Sequence, residues 1–106
     1  MELTNIANNQ LIKVVNNQLV TDSRQVAEHF RKRHNDVTEV IRKLLVTEKS
    51  VTKMFHESEF EYRGRKFPMY LMNRDGFTLL VMGFTGREAL DWKIKYINAF
   101  TEMEKE

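Results

Sequence analysis

The sequence predicts a small α+β domain, and three features support this fold class. Short runs of β-forming residues flank turn signals at Asn16-Asn17 and Arg63-Gly64-Arg65, which is the pattern of β-hairpins. Apolar residues recur at helical spacing in other segments, most regularly in 36–46. The 106 residues suffice for one modest core but not for two, so we expect a single domain over residues 1–106.

Composition indicates a folded protein and excludes several kinds of site. Hydrophobic residues make up 42% of the chain and charged residues 30%, as in globular proteins. The chain has no cysteine, which excludes disulfides and thiolate metal ligands, and we expect neither a metal nor a cofactor. The longest apolar run, LLVMGF (79–84), is far too short to span a membrane. The start, MELTNIANNQ, lacks the order of a secretory signal, so we expect a cytoplasmic location.

Charge is distributed unevenly along the chain, although the formal net charge is only +2. From Arg24 to Arg74 there are twelve Lys and Arg residues against seven Asp and Glu. From Thr85 to Glu106 the balance is four against five. This asymmetry is compatible with one half that faces a polyanion and another that packs.

Residues 1–21 are expected to contain an N-terminal hairpin. Leu11–Val15 and Gln18–Val20 would be its strands, and Asn16-Asn17 its turn, because asparagine tolerates positive φ. The chain would then enter a helix capped by Asp22 or Ser23.

Residues 22–47 predict two helices separated by a short turn. The first would bury Val26, Ala27 and Phe30 on one side. Asn35 is expected to cap the second, which covers residues 36–46. This second helix has the most regular amphipathic period in the chain, carried by Val37, Val40, Ile41, Leu44 and Leu45.

Residues 46–59 are expected to form a loop with at most one short turn of helix. The run FEYRGRKFPMYLM (60–72) then predicts a second hairpin with a basic tip. Because Pro68 has no amide proton, we expect its strand to lie at a sheet edge.

Residues 73–104 are expected to form two C-terminal helices. Asn73 would cap the first and a left-handed Gly83 would end it. A capping box of Thr85 and Glu88 would start the second. Its wide apolar face is typical of a homodimer contact or of docking against another domain, and comprises Ala89, Leu90, Trp92, Ile94, Tyr96, Ile97, Phe100 and Met103.

Two short helices followed by a hairpin with a basic tip are the order of a winged helix-turn-helix, whose second helix enters the DNA major groove. On a helical wheel, polar side chains lie opposite the apolar stripe of helix 36–46, although any surface helix has such a face. We predict that the following residues face base edges: Asn35, Thr38, Glu39 and Arg42. Phosphate contacts are predicted for Arg31, Lys32, Arg33, His34 and Lys43. Arg63 and Arg65 would act from the second hairpin, the wing.

No residue pattern favours catalysis. His29 and His34 are five residues apart and are expected on different elements, which argues against a shared metal. His56 stands beside Glu57 and close to Glu59, but such near neighbours cannot by themselves build a nucleophile, base and orienting group. We therefore expect no catalytic residue and no enzyme, and keep a hydrolase centred on His56 as a further alternative.

Two stretches of the sequence resemble the phage regulatory protein Rha family. They are DSRQVAEHFRKRHNDVTEVIRKLL (22–45) and GRKFPMYLMNRDGFTLLVMGFTGREALDWKIKYINAFTEME (64–104), and the likeness covers roughly residues 19–104. The resemblance implies a regulator of phage development in a bacterial host cell, akin to the N-terminal modules of phage antirepressors. The sequence departs from the family pattern at Arg31, where many members have glycine. Many members also continue into a C-terminal domain.

We therefore predict an α+β domain of the winged helix-turn-helix type, with two β-hairpins and a helical C-terminal extension, that regulates phage transcription by binding duplex DNA. The alternative is an antirepressor module that contacts a phage repressor through the same fold. The near-neutral net charge keeps this alternative open, because DNA-binding domains usually carry more positive charge.

Overall fold

Pairs of strands alternate with pairs of helices along the computed structural model, which describes residues 11–105. The structure confirms the α+β class, and residues 13–104 contain four α-helices and a small antiparallel sheet. Residues 1–10 of the predicted N-terminal segment lie outside the described residues. The elements are β1 (Lys13–Val15), β2 (Gln18–Asp22), α1 (Ser23–His29), α2 (His34–Thr47), a 3₁₀ helix (Lys49–Met54), β3 (Phe55–Tyr62), β4 (Arg65–Met72), α3 (Arg74–Val81) and α4 (Arg87–Glu104).

Both hairpins close through two-residue turns in which each residue has positive φ. The values are 52° and 67° at Asn16 and Asn17, and 54° and 76° at Arg63 and Gly64. Such turns match the right-handed twist of the strands they join. The second hairpin is longer than predicted, because β3 begins at Phe55 where a loop was expected. Phe55 is buried and pairs with Met72, a partner that local sequence does not reveal.

The two hairpins join into one sheet with the strand order β1-β2-β4-β3. β4 pairs with β3 along its whole length, but it pairs with β2 only at Leu71 and Met72. The outer part of the β3–β4 hairpin therefore extends beyond the rest of the sheet.

The expectation that the strand of Pro68 lies at a sheet edge is wrong for β4 as a whole, since strands pair on both of its sides. The reason that proline is tolerated is local. The amide of Tyr70 donates to Ser23 Oγ at 3.0 Å, on the side away from β3. Because strand geometry repeats every two residues, the missing amide of Pro68 falls on that same side, where β2 has already ended.

Helix α1 ends in a Schellman motif centred on Arg31. The amide of Arg31 donates to the carbonyl of Glu28 at 3.3 Å, and that of Lys32 donates to Ala27 at 2.8 Å. This motif needs a left-handed residue, and Arg31 has a φ of 58°. Glycine adopts that conformation at least cost, so the arginine is strained there.

Replacing Arg31 with glycine is expected to raise the free energy of unfolding by about 0.5 kcal/mol, because release of the left-handed strain exceeds the loss of an exposed ion pair. That ion pair joins Arg31 to Glu88 at 3.2 Å. Urea denaturation would measure the change. Arg31→Ala is the matched control, since it removes the ion pair and keeps the strain, and a glycine variant no more stable than the alanine variant would contradict the assignment.

Three predicted helix boundaries are wrong in detail. Asn35 lies inside α2, and Arg33 occupies the cap position. The capping box of Thr85 does not form, because α4 starts after Gly86, which has a φ of 104°. Gly83 is not left-handed, and α3 instead ends in a turn with bonds from Met82 to Leu79 and from Phe84 to Val81. The caps at Asp22 and Asn73 are confirmed, each accepting an amide hydrogen bond.

Aromatic rings from α3 and α4 form the centre of the core. Phe77 stacks on Tyr96 at a centroid distance of 4.6 Å, and both side chains are fully buried. Phe30 of the α1 end packs 6.1 Å from each of these rings. The α1–α2 pair is thus anchored on the two C-terminal helices.

Helix α4 buries only part of its predicted apolar face. Tyr96, Ala99 and Phe100 are buried. Leu90, Ile94 and Ile97 were predicted on the same face but are 47%, 49% and 41% exposed. They form a separate stripe, on which the predicted homodimer would rest; the dimer itself stays a prediction.

Candidate nucleic-acid interface

The polar side of α2 is accessible along most of its length. Asn35, Glu39 and Arg42 are exposed, while Val37 and Ile41 on the opposite side are almost completely buried. The helix thus presents a polar ridge to solvent, and its apolar residues hold it on the core.

Thr38 does not share this exposure, so its predicted outward position is wrong. Only 5% of the residue is accessible, and its hydroxyl donates to the carbonyl of Asn35 at 3.1 Å. A threonine hydroxyl in a helix commonly bonds back to the preceding turn. Thr38 therefore stabilises the helix locally and lies beneath the exposed polar side chains rather than among them.

A groove separates α2 from the β3–β4 hairpin, with a volume of about 940 Å³. The helix contributes His34, Asn35, Thr38 and Arg42. The hairpin contributes residues from both of its faces: Glu57, Ser58, Glu59, Phe60, Phe67, Pro68, Met69 and Tyr70. Two of the predicted base-facing side chains, Asn35 and Arg42, thus lie beside the predicted wing.

A small cluster fixes the start of α2 against the hairpin. His34 Nε2 and Ser23 Oγ form a 2.8 Å hydrogen bond, and Ser23 also accepts the amide of Tyr70. The His34 ring meets Phe60 edge-on at 5.8 Å, and the Arg24 guanidinium lies 3.8 Å above the Phe60 ring. These contacts hold α2 and the hairpin together at the end of the groove nearest the start of α2.

Sequence reasoning missed Ser23, Arg24 and Phe60 as contributors to the site. Ser23 and Tyr70 are 47 residues apart, and no local pattern indicates that they meet. Phe60 was visible only as a strand aromatic. The contacts that orient the predicted interface are long-range, and they emerge only from the fold.

His34 is half-buried and hydrogen-bonded to Ser23, and the phosphate contact predicted for it stays a prediction. Burial and the nearby Arg24 guanidinium lower the pKa of His34 below the usual 6.5, against an opposing effect of Asp22. Both effects favour the neutral form of the ring. Its hydrogen bond to Ser23 makes it a positioning residue for α2.

His29 lies away from the groove, against helix α4. Its Nδ1 is 2.7 Å from the Tyr96 hydroxyl, and its ring stacks on Trp92 at 3.9 Å. Burial lowers the pKa of His29 as well, and Lys95 acts in the same direction. Within residues 11–105, no group of three or more His, Asp or Glu side chains is arranged to hold a metal ion.

Most of the cations predicted for phosphate contact already have partners. Arg31 pairs with Glu88 at 3.2 Å and Arg33 pairs with Asp36 at 3.1 Å. The Lys32 ammonium lies 5.0 Å above the Phe84 ring. The three cationic side chains are exposed, so their contacts are weak and leave the charges accessible.

Three exposed cations form no ion pair with any other residue in the described range: Arg42 and Lys43 on α2, and Arg65 at the hairpin tip. Arg63, the other tip residue, holds its guanidinium 5.1 Å from the Tyr62 ring. The tip lies three residues beyond Phe60, which corresponds to about 10 Å of extended strand. Basic groups therefore occupy both the helix ridge and the end of the hairpin.

The side of the hairpin carries the opposite charge. Glu57, Glu59 and Glu61 alternate along β3, and all three are exposed. None of them forms an ion pair with another residue of the described part of the chain. Phosphates would be repelled here, so a nucleic acid would meet the helix ridge and the tip rather than the groove between them.

Comparison with known proteins assigns the family. Residues 21–105 match the profile of the phage regulatory protein Rha. The chain belongs to the phage regulatory protein Rha family. The resemblance seen in the sequence is thereby confirmed. The left-handed φ of Arg31 is the conformation that glycine, the residue expected there from the family pattern, adopts most easily.

Three relatives place this Rha domain among phage and bacterial proteins. An uncharacterized protein of Haemophilus influenzae is 38% identical over 111 residues, covering 99% of this chain and 64% of the relative. An uncharacterized 22.8 kDa protein from the gp15–gp3 region of Salmonella phage P22 is 38% identical over 101 residues, covering 92% and 50%. A Bacillus subtilis protein derived from the SPbeta prophage, provisionally named antirepressor protein YoqD, is 33% identical over 95 residues, covering 85% and 38%.

The chain thus spans between 38% and 64% of the length of these relatives. No solved structure matches it. In the described range, no helix is both long and apolar enough to cross a bilayer.

Proposed function

We propose that this Rha domain is a winged helix-turn-helix that regulates phage transcription by binding duplex DNA. The single observation that supports this most strongly is the exposed polar ridge of α2, with Asn35, Glu39 and Arg42 on the side away from the buried Val37 and Ile41. A four-residue connection joins α1 to α2, and a hairpin with a basic tip follows, as in winged helix domains.

In this proposal α2 lies in the major groove. Arg42 is suited to bond guanine O6 and N7, and Asn35 to bond adenine N6 and N7. Glu39 can accept from cytosine N4. Lys43 and Lys32 would contact phosphates, and Arg63 and Arg65 would reach the adjacent backbone or minor groove from the hairpin tip. The domain acts by binding alone, and no residue is assigned a catalytic role.

Replacing Arg42 with alanine is expected to cost about 1–3 kcal/mol of DNA-binding free energy and to relax base preference at one position. The reason is that Arg42 is exposed and has no ion-pair partner among residues 11–105, so its guanidinium is available to a base. Selection from a pool of random duplexes, followed by titration at low salt, would measure both effects.

Lys32→Ala is the comparison variant, since it should weaken all duplexes alike and reduce the slope of log affinity against log salt by about one unit. Lys105→Ala, at the far end of α4, should change neither quantity. Absence of any duplex affinity in the parent chain at low salt would refute the DNA proposal, as would an Arg42→Ala variant that behaves like the parent.

The antirepressor function is the second candidate, and two observations favour it. The relative YoqD carries that provisional name, and Glu57 and Glu59 are among the residues that line the groove beside α2. A size-exclusion shift with the cognate phage repressor, compared with a gel shift on random duplex, would separate protein binding from DNA binding.

A further inference from the structure

We propose that the groove between α2 and the β3–β4 hairpin is a docking site for an extended, basic segment of a protein partner. The proposal does not depend on DNA binding by the α2 ridge, and it gives the antirepressor alternative a defined site. The groove has a volume of about 940 Å³, which is enough to hold a small ligand or a few residues of a peptide.

The charge of the groove selects the class of partner. Glu57 and Glu59 line it, both are exposed, and neither is in an ion pair with any residue between 11 and 105. Glu61 continues the same alternation toward the tip. Carboxylates at every second position repel a phosphate backbone and attract lysine or arginine side chains, so the groove favours a protein over a nucleic acid.

The groove also offers apolar surface for the other face of such a segment. Phe60 and Phe67 are cross-strand partners whose rings stack at 5.5 Å. Phe67 remains 36% exposed, and Met69 beside it is half-buried. By strand alternation the rings lie on the opposite face of the hairpin from Glu57 and Glu59. A segment that alternates basic and aliphatic residues and runs along the open edge beside Pro68 can therefore direct one kind of side chain toward the carboxylates and the other toward the aromatic rings.

Polar groups of α2 close the opposite wall. Arg42 can donate to a backbone carbonyl or a carboxylate of the partner, and Asn35 can both donate and accept. These two residues are also assigned to DNA in the proposed function. A partner seated in the groove would consequently occupy side chains that duplex DNA requires, and the two ligands would compete.

Docking through side chains fits this groove better than addition of a strand to β4. Pro68 has no amide to donate on the open side, and the amide of Tyr70 is already bonded to Ser23. Two successive donors on that edge are therefore absent or occupied. Specificity would come from the carboxylates and the aromatic rings.

The test uses the 106-residue chain labelled with ¹⁵N and a synthetic octapeptide of alternating lysine and valine with blocked ends. We expect chemical-shift changes confined to the groove, at Ser58, Phe60, Met69 and neighbouring amides. The Glu57→Gln/Glu59→Gln variant should bind the peptide about fivefold more weakly or worse, since two charge contacts are lost. The control Glu28→Gln/Glu102→Gln removes equal charge elsewhere and should bind like the parent.

Three results would overturn the docking proposal: shifts outside the groove, equal weakening in both double variants, or equal binding of a peptide with glutamate in place of lysine. Duplex titration separates this proposal from the DNA proposal. If the parent binds the peptide but no duplex, the docking site stands and the DNA function falls. If the peptide and a duplex bind but do not compete, Asn35 and Arg42 are not shared, and the coupling between the two ligands is refuted.

Discussion

Replacing Phe77 with alanine is expected to lower the free energy of unfolding by about 3–5 kcal/mol. The ring is fully buried, stacks on Tyr96 at 4.6 Å, and lies 6.1 Å from Phe30 and 6.3 Å from Phe100. Its removal would lose the free energy gained by transferring the ring from water to the core. It would also leave a cavity where three helices meet. Because small domains are stable by only about 5–15 kcal/mol, much of the total would disappear.

Urea denaturation followed by tryptophan fluorescence would measure this loss, since Trp92 lies on α4 beside the same core. Met82→Ala is the matched control, because this large side chain follows α3 directly but is 68% exposed. We expect it to change stability by less than about 0.5 kcal/mol. A Phe77 variant that unfolds at the same urea concentration as Met82→Ala would show that the core is not centred on this ring.

Replacing Ile41 with alanine is expected to lower the free energy of unfolding by about 2–5 kcal/mol. Ile41 is fully buried on α2, one turn from Val37, and it holds the helix whose outer face carries Arg42. The same substitution should therefore loosen the proposed recognition helix without touching any proposed contact residue.

Val40→Ala provides the control on the same helix, since Val40 is 38% exposed and should cost less than about 1 kcal/mol. Thermal unfolding by circular dichroism, with duplex titration well below the transition, separates the two effects. If Ile41→Ala were as mild as Val40→Ala, Ile41 would not be the residue that anchors α2 to the core.

The sequence was sufficient to predict features that depend on residues close together in the chain. The period of α2 placed Val37 and Ile41 on the buried side. Asp22 and Asn73 cap helices because their side chains reach amides three residues ahead. The turns at 16–17 and 63–64 follow from Asn16, Asn17 and Gly64, which adopt positive φ more easily than other residues. Each of these depends on a physical preference that acts within one turn of chain.

Features set by distant partners could not be predicted in the same way. A helical wheel groups Leu90 and Ile94 with the apolar side of α4, but only the packing of α3 and the sheet decides which part of that side is covered. The Ser23–His34–Tyr70 hydrogen bonds join three separate elements. The start of β3 depends on its partner β4 rather than on its own residues. The groove itself is a product of these contacts.

The attachment of the β3–β4 hairpin has a consequence for how Rha proteins can diversify. Outside Leu71 and Met72, β4 pairs with no strand of residues 11–105 other than its hairpin partner β3. Insertion of two residues in each strand would move the hairpin tip outward by about 7 Å and leave the aromatic core around Phe77 undisturbed. The reach of the basic tip can therefore change between homologues by simple length variation, at little cost to folding.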